Sequence, residues 1–241
     1  MQNMQKLAIF GGSFNPVHYG HLLMAETALT QFSLDQVIWV PTYQPPHKST
    51  EELIGFEHRF NMVQQAIASH SHFICSDIEF YLAHRSSPAN RTYAIDTLMA
   101  LQIHYPQSRW YWLIGVDAFQ SLPHWYRHQD LVAHCDWLVA PRFALDGSDP
   151  PPAACSGETA LASTASSIRR SALNCEQVAQ TLKQRSIELT WYLLPMPLIE
   201  ISSGLIRRYC RDRRSIRYLV PEPVRTYIST HALYLDQTVQ A

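Results

Sequence analysis

The chain has few charged residues, 16% of 241, and they nearly cancel to a formal net charge of -1. A molecule so balanced is not, as a whole, an electrostatic binder of nucleic acid. Its five cysteines, Cys75, Cys135, Cys155, Cys175 and Cys210, are scattered and form no C-x-x-C pair. They read as ordinary reduced thiols, with neither a disulfide framework nor a zinc site indicated. No apolar run approaches the roughly 18 residues of a membrane span. Residues 1–10 are too short and polar ahead of their apolar run for a signal peptide, so a soluble cytoplasmic protein is expected. What the chain does have is apolar material, 46% of residues, which excludes global disorder. A compact chain of this length buries roughly 70–75% of its unfolded surface.

Short apolar runs alternate with amphipathic stretches, the pattern of an α/β, Rossmann-like, doubly wound parallel sheet flanked by helices. Strands are expected at 7–10 (stopped by Gly11 and Gly12), 37–40, 73–75, 110–114, 136–140 and 191–194. Helices are expected over 19–32, 56–69, 92–105, 203–211 and 222–230, with an irregular loop at 42–55. Residues 143–174 are rich in Ala, Ser and Pro and nearly lack large apolar side chains. They are expected to form a flexible surface insertion within a single domain.

The sharpest chemical signal is GGSFNPVHYGH at 11–21, between the first strand and the first helix. In an open parallel sheet, ligands bind where strand C-termini meet helix N-termini. Gly11 and Gly12 allow a turn and close backbone approach to a ligand. The following helix offers N–H groups and positive dipole, suited to phosphate. His18 and His21, three apart, point to one side of a first helical turn, and Gly20 between them leaves room for a flat base or ribose. Imidazole donates to a phosphoryl oxygen and, when protonated, offsets charge developing there. A helix cap plus a packing residue would use the same two rings, but their place directly after the glycine pair favours phosphate. Six arginines crowd 207–217. A nucleic-acid module built on them is disfavoured by the near-neutral whole.

The string resembles the H-x-G-H signature of the nucleotidyltransferase superfamily. It is neither a Walker loop, since no Gly-Lys-Ser/Thr follows, nor a dinucleotide fingerprint. A second stretch, Ile201-Ser202-Ser203-Gly204-Leu205-Ile206-Arg207, is similar to the superfamily's I-S-S-T-x-I-R motif, with Gly204 where Thr or Ser is usual. Hydroxyls and N–H groups at a helix start meet phosphate, and Arg207 one turn on offers a planar fork. The faint echo at 166–170 has no strand before it and is read as a decoy. Four further segments, PTYQPPHK (41–48), TYAIDTL (92–98), LIGVDAFQSLPHWY (113–126) and LVPEPVRTY (219–227), resemble the bacterial nicotinate-nucleotide adenylyltransferase family.

That resemblance implies direct transfer of the adenylyl group of ATP to nicotinate mononucleotide, with magnesium arriving on the triphosphate. It casts His18, His21, Lys48 and Arg207 as stabilisers of the transferred group and of leaving pyrophosphate. Gly11, Gly12, Ser13, Phe14, Gly20, Ile201, Ser202 and Ser203 would hold ATP. His47, Thr92, Ala94, Gly115, Asp117, Trp125, Tyr126 and Arg142 would hold nicotinate mononucleotide. No protein-held metal site, nucleic acid or membrane is expected, and a homo-oligomer remains open. Two departures are Ala94, where the family often has Thr, and Phe143-Ala144 after Arg142 instead of Pro-Gly. Alternatives left open are transfer to the amide mononucleotide or to phosphopantetheine, and a nucleotide-binding regulator without catalysis.

Overall fold

In the computed structural model, described for residues 4–44, 53–86, 92–142 and 157–235, six parallel strands form one sheet. They are β1 (Lys6–Gly12), β2 (Gln36–Pro41), β3 (Phe73–Cys75), β4 (Arg109–Gly115), β5 (Asp136–Ala140) and β6 (Trp191–Leu193). Their order, β3-β2-β1-β4-β5-β6, reverses direction between β1 and β4. The reversal opens a crevice beyond the carboxyl ends of those two strands, where doubly wound sheets bind ligands.

Both sheet faces are covered, so the strands are apolar on both sides. On one face Ala8, Phe10, Val37, Trp39, Leu113 and Leu138 pack under α1 (Tyr19–Gln31), α2 (Phe56–Ile67), α8 (Ser203–Arg211) and α9 (Glu222–Thr230). On the other, Leu7, Ile9, Ile38, Trp112, Trp137 and Val139 pack under α4 (Ala94–His104), α5 (Val116–Phe119), α6 (His128–His134) and α7 (Gly157–Lys183). The alternation along β1, Leu7 and Ile9 down and Ala8 and Phe10 up, is the period-two signature of a strand buried on both faces. α3 (Ile78–Ser86) bridges β3 and α4. No described helix is long and apolar enough to cross a membrane.

Two expectations are corrected. First, Gly11 and Gly12 do not stop β1; they pair with Val40 and Pro41 of β2. The left-handed residue of this connection is Phe14 (φ 45°), not a glycine. Gly12 instead admits the Phe14 ring, since a Cβ there would lie 3.1 Å from it. Second, the expected irregular insertion is helical from Gly157 onward, while 143–156 lies outside the described residues. α7 buries Ser167, Ser171, Cys175, Val178 and Leu182, spaced four, four, three and four apart. Between residues 164 and 174 its buried side chains are the two serines, not large apolar groups, which is why composition alone reads as surface loop. The echo at 166–170 falls inside this helix, with no exposed helix start to offer phosphate.

Candidate active site

β1 delivers the chain to a tight connection that ends on His18, the N-cap of α1. His18 N–H donates to His21 Nδ1 at 3.3 Å, and the two rings stack at 3.7 Å between centroids. Because His21 accepts at Nδ1, its neutral form carries the proton on Nε2. Phe14, 2% exposed, stands edge-on to His21 at 5.1 Å and to Phe10 at 5.3 Å. The Phe14 ring therefore supports the imidazole from the core. His18 is 6% exposed, and its Nδ1 has no hydrogen-bond partner. Burial, followed by the nearby Arg142 guanidinium, pushes its pKa down to about 4. At neutral pH His18 is therefore a neutral imidazole in this state. Gly20 serves this stack: a Cβ there would meet His18 Nδ1 at 3.0 Å, so the space expected for base or ribose holds an imidazole.

The second motif comes to the first. Ser202 caps α8 by accepting Leu205 N–H at 3.2 Å. Ser203 Oγ donates to Pro16 O at 2.9 Å, and Arg207 Nη1 donates to Asn15 O at 3.0 Å. Ile201 O lies 3.7 Å from where a Gly20 Cβ would be. Tyr234 OH donates to Asn15 Oδ1 at 2.8 Å, pinning the same turn from the end of the described chain. Two helix N-termini, two imidazoles, two serines and an arginine therefore meet around residues 15–20. Their donors are nitrogen and hydroxyl groups, a set that suits phosphate oxygens. A Cβ on Gly204 would meet only Ser202 Oγ at 4.0 Å, so nothing in the fold demands glycine there.

The other half-site lies at the ends of β4 and β5. Gly115 closes β4 and caps α5, placing Asp117 in its first turn. Arg142, two residues past β5, forms a salt bridge to Asp117, and both side chains are more than half exposed. Arg142 N–H also donates to Ser171 Oγ of α7 at 3.4 Å. Trp125 is half-buried, with its Nε1–H on Ser121 Oγ at 2.9 Å and its ring edge-on to Trp112 and Trp137. Tyr126 is exposed and lies 4.5 Å from the Tyr93 ring. Ala94 is the first residue of α4. Thr92 is buried and spends its hydroxyl on Glu79 Oε2 at 2.7 Å. His47 and Lys48 lie outside the described residues.

Two buried ionisable side chains were missed from sequence. Arg59 is fully buried, and burial pulls its guanidinium down to about 10, so it remains a cation at neutral pH. Burial likewise pushes the Glu79 carboxyl up, against hydrogen bonds from Thr92, Tyr43 and Thr97 that pull it down. The available signal for Arg59 was its spacing, three and four residues before buried Met62 and Val63, which sets a charge on the apolar stripe of α2.

The model of the cytidylyltransferase-like family matches residues 9–209. A probable nicotinate-nucleotide adenylyltransferase of Trichormus variabilis is 44% identical over 98% of this chain and 100% of its own length. One from Geobacter sulfurreducens is 36% identical over 95% of this chain and 98% of its own length. Among solved structures, the Plasmodium falciparum nicotinic acid mononucleotide adenylyltransferase complexed with NaAD superposes with a TM-score of 0.63. It is 18% identical and covers 95% of this chain and 97% of that one, a likeness of fold.

Proposed function

We propose that this chain, which belongs to the cytidylyltransferase-like family and within it to the nicotinate-nucleotide adenylyltransferases, joins ATP to nicotinate mononucleotide in NAD biosynthesis. A phosphate oxygen of the mononucleotide attacks the α-phosphorus of ATP in line. The bond from that phosphorus to the β-phosphate bridging oxygen breaks, and pyrophosphate leaves with that oxygen and its electron pair. No covalent enzyme intermediate is required, so catalysis is positioning and charge stabilisation.

One observation carries the reading: α1 and α8 bring their N-termini, with His18, His21, Ser202, Ser203 and Arg207, onto one turn at the sheet's switch point. His21 Nε2–H and the Arg207 guanidinium meet the oxygens of the transferring and leaving phosphates. His18 holds His21 by stacking and by its main-chain N–H. Lys48 adds a point charge to the same oxygens. Gly11, Gly12, Ser13, Gly20 and Ile201 line the ATP side. Gly115, Asp117, Tyr126, Arg142, His47 and the N-terminus of α4 at Ala94 form the acceptor side. Asp117 takes ribose hydroxyls once its bond to Arg142 opens, and Trp125 walls the pyridine. Thr92 acts through Glu79. Magnesium enters as part of the ATP substrate, held by phosphate oxygens and water. The reaction belongs in the cytoplasm, where ATP is available.

The test is a steady-state comparison of the acid and amide mononucleotides with ATP and magnesium, read as pyrophosphate and dinucleotide formed. Turnover with a higher kcat/KM for the acid is expected. Preference for the amide would transfer the assignment to that acceptor and give weight to Ala94, which brings no hydroxyl. Saturable ATP binding with no pyrophosphate would leave a regulator.

A further inference from the structure

Two loops of the cleft converge on one buried cation. Arg59, in the first turn of α2, donates Nε to Ile54 O at 3.1 Å and Nη1 to Ser13 O at 2.9 Å and Thr42 O at 2.7 Å. Its Nη2 donates to Tyr43 O at 3.1 Å. Four main-chain carbonyls from three segments thus meet one planar fork. The other side of Tyr43 is held as well: its N–H donates to Glu79 Oε2 at 2.9 Å. The same oxygen accepts Thr92 Oγ1–H at 2.7 Å, and Oε1 accepts Thr97 Oγ1–H at 3.3 Å. Residue 43 is therefore clamped between the buried Arg59 guanidinium on its carbonyl and the buried Glu79 carboxyl on its N–H. The path of hydrogen bonds runs unbroken from Ser13 on the phosphate side to Thr92, two residues before Ala94.

Burying charges is costly, and well-packed apolar side chains of similar size commonly serve stability as well or better. A guanidinium offers what they do not: several donors at fixed angles in one plane. We propose that Arg59 and Glu79 are positioning residues of the adenylyl transfer, a buried two-sided clamp on Tyr43 that sets the phosphate loop at Ser13 in register with the β2–α2 connection and the start of α4. The inference rests on the adenylyltransferase reading.

Its test uses Arg59→Lys, Glu79→Gln and the double variant, assayed with ATP and nicotinate mononucleotide well below each unfolding midpoint. Lysine keeps the charge and loses the fork; glutamine keeps the shape and turns one acceptor oxygen into a donor. Arg59→Lys lowers kcat about 30- to 100-fold and Glu79→Gln about 5- to 10-fold, as a displacement near 1 Å does, while both KM values stay within about threefold. The double variant falls no further than Arg59→Lys alone, because both side chains act on one residue. An unchanged kcat per folded molecule would reduce the pair to a stability role, and losses that multiply would make them separate devices. Either overturns the proposal. If Arg59→Lys does not fold, Glu79→Gln decides by the same reading. ATP affinity by calorimetry gives a second readout, expected to stay within about threefold in Arg59→Lys, as a positioning role requires. A silent wild type that binds ATP strikes the proposed function, whereas an active wild type with indifferent variants strikes only the clamp.

Discussion

The two halves of the cleft are built on opposite principles. On the phosphate side, His18 is buried, the Phe14 ring underpins His21, and Ser203 and Arg207 are each bonded to a carbonyl of the 15–16 turn. On the acceptor side, Asp117 and Arg142 hold each other at an exposed sheet end. The first half is organised before a ligand arrives. The second is held by a pair that a ligand with ribose hydroxyls and a phosphate can replace group for group. A transferred phosphoryl group needs donors fixed where charge develops, because reorienting them during the reaction costs rate. An acceptor needs only to be captured and aimed.

The largest effect expected on this contrast is His21→Ala. Removing one donor from an organised oxyanion-type site costs roughly 10²–10³ in rate, about 2.7–4 kcal/mol. The folded variant should lose kcat by that factor with both KM values little changed; retained turnover would remove His21 from the chemistry. Next is the pH dependence of stability set by His18. Its folded pKa, about 4, lies below the ordinary histidine value of 6.5. The unfolded chain therefore binds the proton first, and stability is lost as pH falls from 6.5 towards 4. Between pH 7.5 and 5 that amounts to about 2 kcal/mol. Urea unfolding at the two pH values should show that much less loss in His18→Asn than in wild type; an equal loss would mean that His18 is not buried as neutral imidazole.

Much of this architecture is legible in the amino-acid order. The strand at 136–140 and the helices at 203–211 and 222–230 coincide with β5, α8 and α9, because each joins strong periodicity to a clear stop such as Pro141 or Pro221. The H-x-G-H loop and the I-S-S run were each legible as a helix start after a strand, but their meeting was not, because β6 is an edge strand three places from β1 and the chain returns to the 15–16 turn only after it. α3, α5 and α6 were not legible, being short elements whose apolar faces depend on neighbours far along the chain. α7 was hidden because close helix–sheet contact there uses Ser167 and Ser171, which composition counts as polar. The pairing of Asp117 with Arg142 needed the adjacency of β4 and β5, a fact of topology. Gly20 was singled out for the right reason, space, and assigned the wrong occupant.

That reassignment is testable as Gly20→Ala. Alanine favours helix by about 1 kcal/mol, so stability should hold or rise. The added carbon would stand 3.0 Å from His18 Nδ1, so the ring must shift and the stack with His21 must loosen. A loss of about tenfold in kcat at undiminished melting temperature is expected, since small misplacements of an organised group are costly. If activity is untouched, the stack is not part of the organised half.

The smallest effect probes the other half. With 62% and 54% of their side-chain surfaces exposed, Arg142 and Asp117 make a surface ion pair despite their short contact. Such pairs contribute roughly 0–1 kcal/mol, because solvent screens them and ordering two side chains costs entropy. Asp117→Asn should therefore shift unfolding free energy by less than about 0.5 kcal/mol. The amide still accepts from one ribose hydroxyl but no longer offers a charge to Arg142. KM for nicotinate mononucleotide should rise a few-fold, and KM for ATP should not, because the phosphate side is braced through hydrogen bonds to Asn15 and Pro16 that do not involve this pair. A fall in stability comparable to that of burying an unpaired charge would mean that the acceptor side, too, is built before its ligand, and the contrast between the halves would fail.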